Sequence, residues 1–336
     1  MSDRVRVAVL AGGRSSEREI SLTSARSVLE ALDPERYDVV TVAIGKDGRW
    51  ELGSGSDGAT VAETLPVPAA NAPATLGRVD VVLPILHGPF GEDGTVQGLL
   101  ELAGVPYVGA GVTASGLCMD KDLFKKVMRE SGIPVARSVT LRTGDVPANP
   151  FEFPVFVKPA RLGSSVGITK AHDDGELRAG VELAFRHDEK ILIEEFVDGV
   201  EVEVGVLGNL DPVASLPGQI VPIGHEWYDY ASKYDDGGME LVIPPEGISE
   251  ETTALVQRAA VDAFRVTDCE GMARVDCFVV GGDTVIVNEL NTIPGFTATS
   301  VYAKLFEASG IPYEELLERL IALARERHER RSRLQF

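Results

Sequence analysis

Only three of the 336 residues are cysteine, Cys118, Cys269 and Cys277, and their spacing suits neither a disulfide framework nor a thiolate metal cluster. Buried free thiols are the expectation. No run of 18 apolar residues occurs, which removes a membrane-spanning helix from consideration. The amino terminus, MSDRVRVAVLAGG, interrupts its short apolar stretch with glycines and offers no signal-peptide core or cleavage site, so a cytoplasmic protein is expected. Positive charge is also scarce. With 32 Lys and Arg against 52 Asp and Glu, the net charge of −20 repels phosphate backbones and anionic lipid, which argues against nucleic acid or a membrane as the main partner. A small nucleotide can still bind locally. The first strand is followed by glycines but lacks the G-x-G-x-x-G fingerprint, no Gly-Lys-Ser/Thr loop is present, and no internal repeat is evident.

What the chain does contain is material for several cores. With 44% hydrophobic and 25% charged residues it reads as a globular α/β protein, long enough for two or three domains of roughly 100 to 150 residues. Apolar runs alternate with helical patterns from the start: RVRVAVLAGG, SEREISLTSARSVLEAL, YDVVTVAIG, VDVVLPILHG, GTVQGLLELAG and VPYVGAG. That alternation predicts βαβ units and a parallel sheet covered on both faces in a first domain, residues 1–110, interrupted at 53–78 by a Gly-, Ser-, Ala- and Pro-rich surface excursion. A smaller α+β segment over 111–193 follows: a helix at 113–131 whose Lys125 and Lys126 read as exposed charges, the strands IPVARSVTL and FPVFVKP, a Gly/Ser loop, a helix near 174–187 and the strand KILIEEFV. Its size would let it move as a lid. Residues 194–336 are strand-rich, then carry the long helix SEETTALVQRAAVDAFRVT, two strands and two helices. The basic tail ARERHERRSRL reads as a solvated helix end.

The chemistry concentrates near GMARVDCFVV and TVIVNELN, which read as a hairpin around a Gly-Gly-Asp turn. Side chains on a strand repeat their facing every second residue, so Arg274 shares a face with Asp276, and Glu289 with Asn291. A two-residue turn at 282–283, or a four-residue turn at 281–284, sets Asp276 opposite Glu289; a three-residue turn breaks the match. Two carboxylates and an amide oxygen this close raise one another's pKa unless a cation intervenes. Their hard oxygens select Mg2+ or Mn2+, completed by nucleotide phosphates. A surface ion-pair network with Arg274 is the alternative reading.

Four further stretches carry polar groups in useful places. In FVKPARLGSSVGI, Lys158 leaves a strand into a loop where Ser164, Ser165 and glycine N–H groups can cradle phosphate, unless the loop is simply flexible. Lys121, in CMDKDLFKKVM, is a second cation able to reach the same phosphates. In ILIEEFVDGVEVEVGV the backbone can read an adenine edge between Phe196 and Val197, while periodicity alone makes Glu194, Glu201 and Glu203 equally compatible with solvated strand faces. Glu17 near the first helix offers a carboxylate for an amine or a partner for the helix dipole. His87 ends a strand where ligands of parallel sheets bind, or else is a structural histidine bonded within its own loop. The aromatic stretch HEWYDYASKY is packing, or a loop that closes over a charged site.

Taken in order, AGGRSSEREIS, LHGPFGEDGTVQG, MDK, KPARLGSSVGITK, EWYDYASKY, ARVDCFV and NELNTIPGFTATS resemble the D-alanine:D-alanine ligases of the ATP-grasp superfamily over nearly the full length. The resemblance implies a mixed α/β and α+β, three-domain ATP-grasp architecture with an N-terminal parallel-sheet (pre-ATP-grasp) domain at 1–110, a central lid domain at 111–193 and a catalytic domain at 194–336. It implies ATP-dependent ligation of two D-alanines through an acylphosphate, for peptidoglycan precursor synthesis, by a cytoplasmic homodimer. Residue by residue, it makes Asp276, Glu289 and Asn291 ligands of two Mg2+ (or Mn2+) ions. Lys121, Lys158, Lys233 and Ser165 contact the ATP phosphates; Glu194, Val197 and Glu201 hold adenine and ribose. Glu17 and His87 attend the first D-alanine, and Ser300 and Val301 the carboxylate of the second. Glu17, Ser164 and Tyr234 form a closing trio, and Arg274 with the N–H of Gly295 stabilises the oxyanion. Tyr234, absent from the matching position of related ester-forming resistance ligases, favours the dipeptide product. Departures such as KPA for the frequent KPS, and Ile293 and Phe296 in the turn, bear on substrate preference rather than on reaction type.

Overall fold

The computed structural model describes residues 4–53, 79–224 and 238–335. The expected surface excursion at 53–78, apart from its first residue, and the aromatic stretch with Lys233 and Tyr234 lie outside the described residues.

Residues 7–10 form an unbroken Val-Ala-Val-Leu run with no exposure, as a strand covered on both faces requires. This strand, β1 (Val5–Gly12), is flanked in parallel by β2 (Tyr37–Ile44) and β4 (Val81–Pro84), with β3 (Trp50–Gly53) added antiparallel at the edge of β2. VPYVGAG adds only a single bridge, Val82 to Tyr107. Alternate residues feed two cores. Val7 and Val9 pack with α1 (Arg18–Ala31) and with α7 (Val301–Ala308) and α8 (Tyr313–Ser332) from the far end of the chain. Ala8 and Leu10 pack under α2 (Thr95–Ala103). Beyond the carboxyl end of β4, His87 reaches the C-terminal part of the chain at Ile293.

The expected helix at 113–131 is two helices, α3 (Val112–Met119) and α4 (Lys121–Glu130). Asp120 breaks the run with φ −92° and ψ 97° and caps α4 by accepting from the Leu123 N–H at 3.1 Å, a contact worth about 1 kcal/mol. An antiparallel sheet of order β5-β8-β6-β7 follows, built from β5 (Ser138–Arg142), β6 (Val155–Pro159), β7 (Thr169–Ala171) and β8 (Lys190–Glu195), with α5 (Asp174–Ala184) covering it.

The third sheet runs β12-β11-β9-β13-β14, with β10 (Val213–Ala214) paired to β9. Its strands are β9 (Val200–Gly208), β11 (Gly218–Pro222), β12 (Met239–Val242), β13 (Gly271–Val280) and β14 (Thr284–Asn291). Period-2 alternation divides its two faces. Val202, Val204, Ala273, Val275 and Cys277 face α6 (Glu250–Val266), while Glu203, Arg274 and Asp276 take the opposite face. All three cysteines are free and buried. Among the described residues no helix is long and apolar enough to cross a membrane.

The basic tail is not simply solvated. Arg327 is buried, stacked 4.4 Å over the Tyr107 ring, and donates to the carbonyls of Tyr107 (2.7 Å) and Gly109. Arg331 pairs with Glu270 at 2.8 Å. A guanidinium can share its several donors among carbonyls, and this one ties α8 to the end of the first sheet.

Candidate active site

The hairpin β13–β14 brings Asp276 opposite Glu289, by a route other than the turns considered above. The loop is the three residues 281–283, which pairs Val280 with Thr284 and Cys277 with Val287. A β-bulge at Asn288 then shifts the register by one, so that Asp276 meets Glu289 and Arg274 meets Asn291. In a regular strand Val287 and Glu289 would share a face. The bulge sends Val287 into the core and Glu289 to the opposite side.

Arg274 donates from two nitrogens to Asp276, both at 2.8 Å, and lies 2.9 Å from Glu203. Asn291 Nδ2 donates to Asp276 Oδ2 at 3.0 Å. This is the expected cluster, but neither a surface network nor a solvated face: Asp276 is 3% exposed and Glu203 0%. Glu203, left undecided by periodicity, is the buried counter-charge of Arg274. Lys121 lies 3.3 Å from Glu289 and donates to the Leu162 carbonyl at 2.9 Å. Among the described residues no group of three His, Cys, Asp or Glu side chains is arranged to hold a metal ion. Two facing carboxylates and an amide suit a hard cation that takes the rest of its shell from phosphate oxygens, rather than a cage made by protein alone.

A cavity of about 380 Å3 lies between the second and third sheets. Lys121, Lys158, Ser165, Glu194, Val197, Glu201 and Glu289 line it, with Phe156, Phe196 and Phe278 as apolar walls. Glu194, 2% exposed, is not on a solvated face. Lys158 holds one of its oxygens at 2.5 Å and Lys125 the other at 2.9 Å. Burial alone would raise the Glu194 pKa, but the two ammonium groups bring it down to about 2. Lys125 is thus buried, not exposed as its helix pattern suggested; Lys126 does face solvent, 2.9 Å from Asp122. The signal was available, because Lys125 follows Lys121 by one helical turn and shares its face. Above the cavity, Ser164 and Ser165 both take left-handed backbone, φ 52° and 56°.

A second cavity, of about 550 Å3, opens on the other side of Glu289. Glu17, His87, Ser164, Arg274, Asn291, Gly295, Ser300 and Val301 line it. Glu17 sits at the start of α1 yet makes no capping bond; its carboxylate accepts from Ser164 Oγ instead. Gly88 stands at φ +74°, a left-handed conformation that side chains rarely adopt, and a Cβ there would press on the Glu17 carboxylate. His87 is bonded to other elements, not within its own loop. Its Nδ1 donates to the Ile293 carbonyl at 3.0 Å, which leaves Nε2 to accept from Ser24 Oγ at 3.3 Å. Burial lowers its pKa and keeps the ring neutral. Ser300 Oγ accepts from the Thr297 N–H at 2.9 Å at the start of α7, beside Gly295.

Glu92 went unassigned in the sequence, although it lies within LHGPFGEDG. Its carboxyl accepts from the N–H of Gly88 at 2.6 Å and of Ile293 at 3.1 Å, tying the His87 loop to the turn after β14. Desolvation, followed by the charge of Glu17, raises its pKa to about 8. Ile293, which no motif explained, is the residue that the loop after β4 grips through its backbone, His87 taking the carbonyl and Glu92 the N–H. Lys233 and Tyr234 lie outside the described residues.

Two family models match the chain, described as D-ala D-ala ligase N-terminus over residues 6–110 and D-ala D-ala ligase C-terminus over residues 127–322. A D-alanine–D-alanine ligase of Solibacter usitatus is 46% identical over 339 residues, covering 99% of each chain. Among solved structures, the VanG D-Ala:D-Ser ligase of Enterococcus faecalis superposes with a TM-score of 0.84 at 34% identity, covering 96% of this chain and 99% of that one. The D-alanine–D-alanine ligase of Bacillus anthracis complexed with ATP gives 0.79 at 27% identity, covering 97% and 99%.

Proposed function

The chain belongs to the D-alanine–D-alanine ligase family, ATP-dependent enzymes that join two D-alanines for peptidoglycan precursor synthesis, and we propose how its two cavities divide that reaction. The observation that carries the proposal is the position of Glu289, the acidic side chain common to both cavities. A group transferred from a nucleotide in one to a carboxylate in the other must pass it.

In this reading Glu194, Val197 and Glu201 hold adenine and ribose, and Lys121, Lys158, Lys233 and Ser165 hold the phosphates. Asp276, Glu289 and Asn291 would hold Mg2+ or Mn2+, two ions per site, which when bound would supply positive charge to the phosphoryl group in transfer. Glu17, with His87 beside it, binds the ammonium of the first D-alanine. A carboxylate has no useful leaving group, so its oxygen attacks the γ-phosphorus, the bond to ADP breaks and an acylphosphate forms. Ser300 and the N–H of Val301 hold the carboxylate of the second D-alanine, whose deprotonated amine attacks the acyl carbon. Arg274 and the Gly295 N–H stabilise the tetrahedral oxyanion, and inorganic phosphate leaves. Glu17, Ser164 and Tyr234 close the site against water, which would hydrolyse the acylphosphate.

We divide the chain at 1–110, 111–193 and 194–336, and place it in the cytoplasm as a homodimer. Phosphate release with ATP, Mg2+ and D-alanine tests the reading, with L-alanine, D-alanine plus D-lactate and D-alanine plus D-serine as further arms. The D-serine arm is prompted by the solved D-Ala:D-Ser ligase of similar fold. Release that does not depend on D-alanine would overturn the reading; a strong gain with D-lactate or D-serine would reassign the second substrate.

A further inference from the structure

We propose that Lys125 is a positioning residue, which joins the adenine side of the cleft to its phosphate side by holding the Glu194 carboxylate and the Asn288 carbonyl of the β14 bulge on one ammonium group. The proposal rests on the reading of the cleft as an ATP site. Lys125 Nζ lies 2.9 Å from Glu194 Oε2 and donates to the Asn288 carbonyl at 3.4 Å, with the side chain 1% exposed. Lys158 already places a full positive charge 2.5 Å from the other Glu194 oxygen. For neutralising one carboxylate, a second buried ammonium is redundant and costly.

The contact with Asn288 gives that second cation a purpose. A bulge places two residues of one strand against one of its neighbour and disrupts the ladder locally, so an extra backbone carbonyl needs a donor. This bulge is also the device that sends Val287 to the core and Glu289 to the cleft. Lys125 therefore links α4, β8 and β14 at the point where the register changes. A nucleotide seated against Glu194 is thereby matched in height to Glu289, the carboxylate that would hold a divalent cation against its phosphates.

The test compares Lys125→Met, Lys125→Arg and, as a control on the exposed face, Lys126→Met in the full chain. Calorimetric binding of a non-hydrolysable ATP analogue with Mg2+ is read alongside steady-state kinetics. Lys125→Met is expected to weaken analogue binding and raise the half-saturating Mg2+ concentration about tenfold, while the KM for D-alanine stays within about twofold. Lys125→Arg restores part of the loss, and Lys126→Met changes neither value. Unaltered analogue affinity and Mg2+ dependence in Lys125→Met would overturn the proposal, as would a uniform loss that only tracks the folded fraction. Should Lys125→Met not fold, the Mg2+ dependence of Lys125→Arg decides, because that variant keeps the charge but cannot reproduce both contacts; an unshifted Mg2+ midpoint there counts against the proposal. Binding is read without turnover, so a wild type lacking D-alanine-dependent phosphate release would sink the ligase reading and leave this measurement valid.

Discussion

Glu194 and Glu92 are both sheltered glutamates in one cleft, and their surroundings push them in opposite directions. Glu194 lies between Lys125 and Lys158 with its pKa at about 2, so it is an anion at every physiological pH. Glu92 receives two backbone N–H groups, faces the Glu17 charge, and has its pKa raised to about 8. On the nucleotide side the protein supplies its own cations in advance. At the amino-acid side it gathers carboxyl groups around Arg274, a cation already engaged by Asp276 and Glu203, and leaves the rest of the compensating charge to the ligand, as suits a site for an ammonium group.

The sharpest way to break this contrast is to remove Glu194. Glu194→Gln leaves two buried ammonium groups facing each other, and a loss of about 3–5 kcal/mol in denaturant-measured stability is expected. Adding Lys125→Met to that variant should recover a good part of the loss; if the single variant unfolds at the wild-type midpoint, the nucleotide side is not held by its ion pairs. Next in size is Arg274, a cation that lines the amino-acid cavity. Arg274→Met should lower kcat by about 10²–10³, the usual consequence of deleting one oxyanion donor. A kcat within a factor of about three of wild type would take Arg274 out of the transition state.

Glu92 allows a smaller test with a definite sign. Its folded-state pKa lies above the ordinary value of 4.5, so the folded chain keeps a proton that the unfolded chain gives up. Its contribution is complete below about pH 4.5 and is lost as pH rises through about 8. The stability of wild type minus that of Glu92→Gln should fall across this window. A difference that rises with pH, or stays flat, would show that Glu92 ionises normally. Smallest of all, a bound ammonium should favour ionised Glu92, so D-alanine binding near pH 7 should release a fraction of a proton. Calorimetry in two buffers of different ionisation enthalpy reads this directly, and proton uptake would contradict the contrast.

What could be read from the sequence depended on whether the controlling interaction was local. Alternation along β13 and β14 paired Arg274 with Asp276 and Glu289 with Asn291, because facing on a strand is a property of neighbours, whereas the turn that was to bring the two pairs opposite each other is replaced by a three-residue loop and a bulge. The bulge left a trace there too: Asn288 and Glu289 are consecutive polar residues between Val287 and Leu290, a break in period-2 alternation that the bulge accounts for. Lys125 and Arg327 were misjudged for a different reason. Each is a long cation on an otherwise ordinary helix, and what buries it, Glu194 in one case and the carbonyls at 107 and 109 in the other, lies tens to hundreds of residues away. Glu92 was unreadable for the same reason, since the Ile293 N–H that holds it is supplied 201 residues later.

The consecutive left-handed residues Ser164 and Ser165 have a bearing on how this enzyme can change over generations. Each conformation costs a non-glycine residue of order 1–3 kcal/mol. Glycine at either position would relieve that cost, but it would discard a hydroxyl, and at 164 the one that meets Glu17. The cheapest route to a hardier protein therefore runs straight through the loop it can least alter. Variants selected for heat resistance while activity is held are expected to acquire their substitutions elsewhere and to leave this pair of serines untouched.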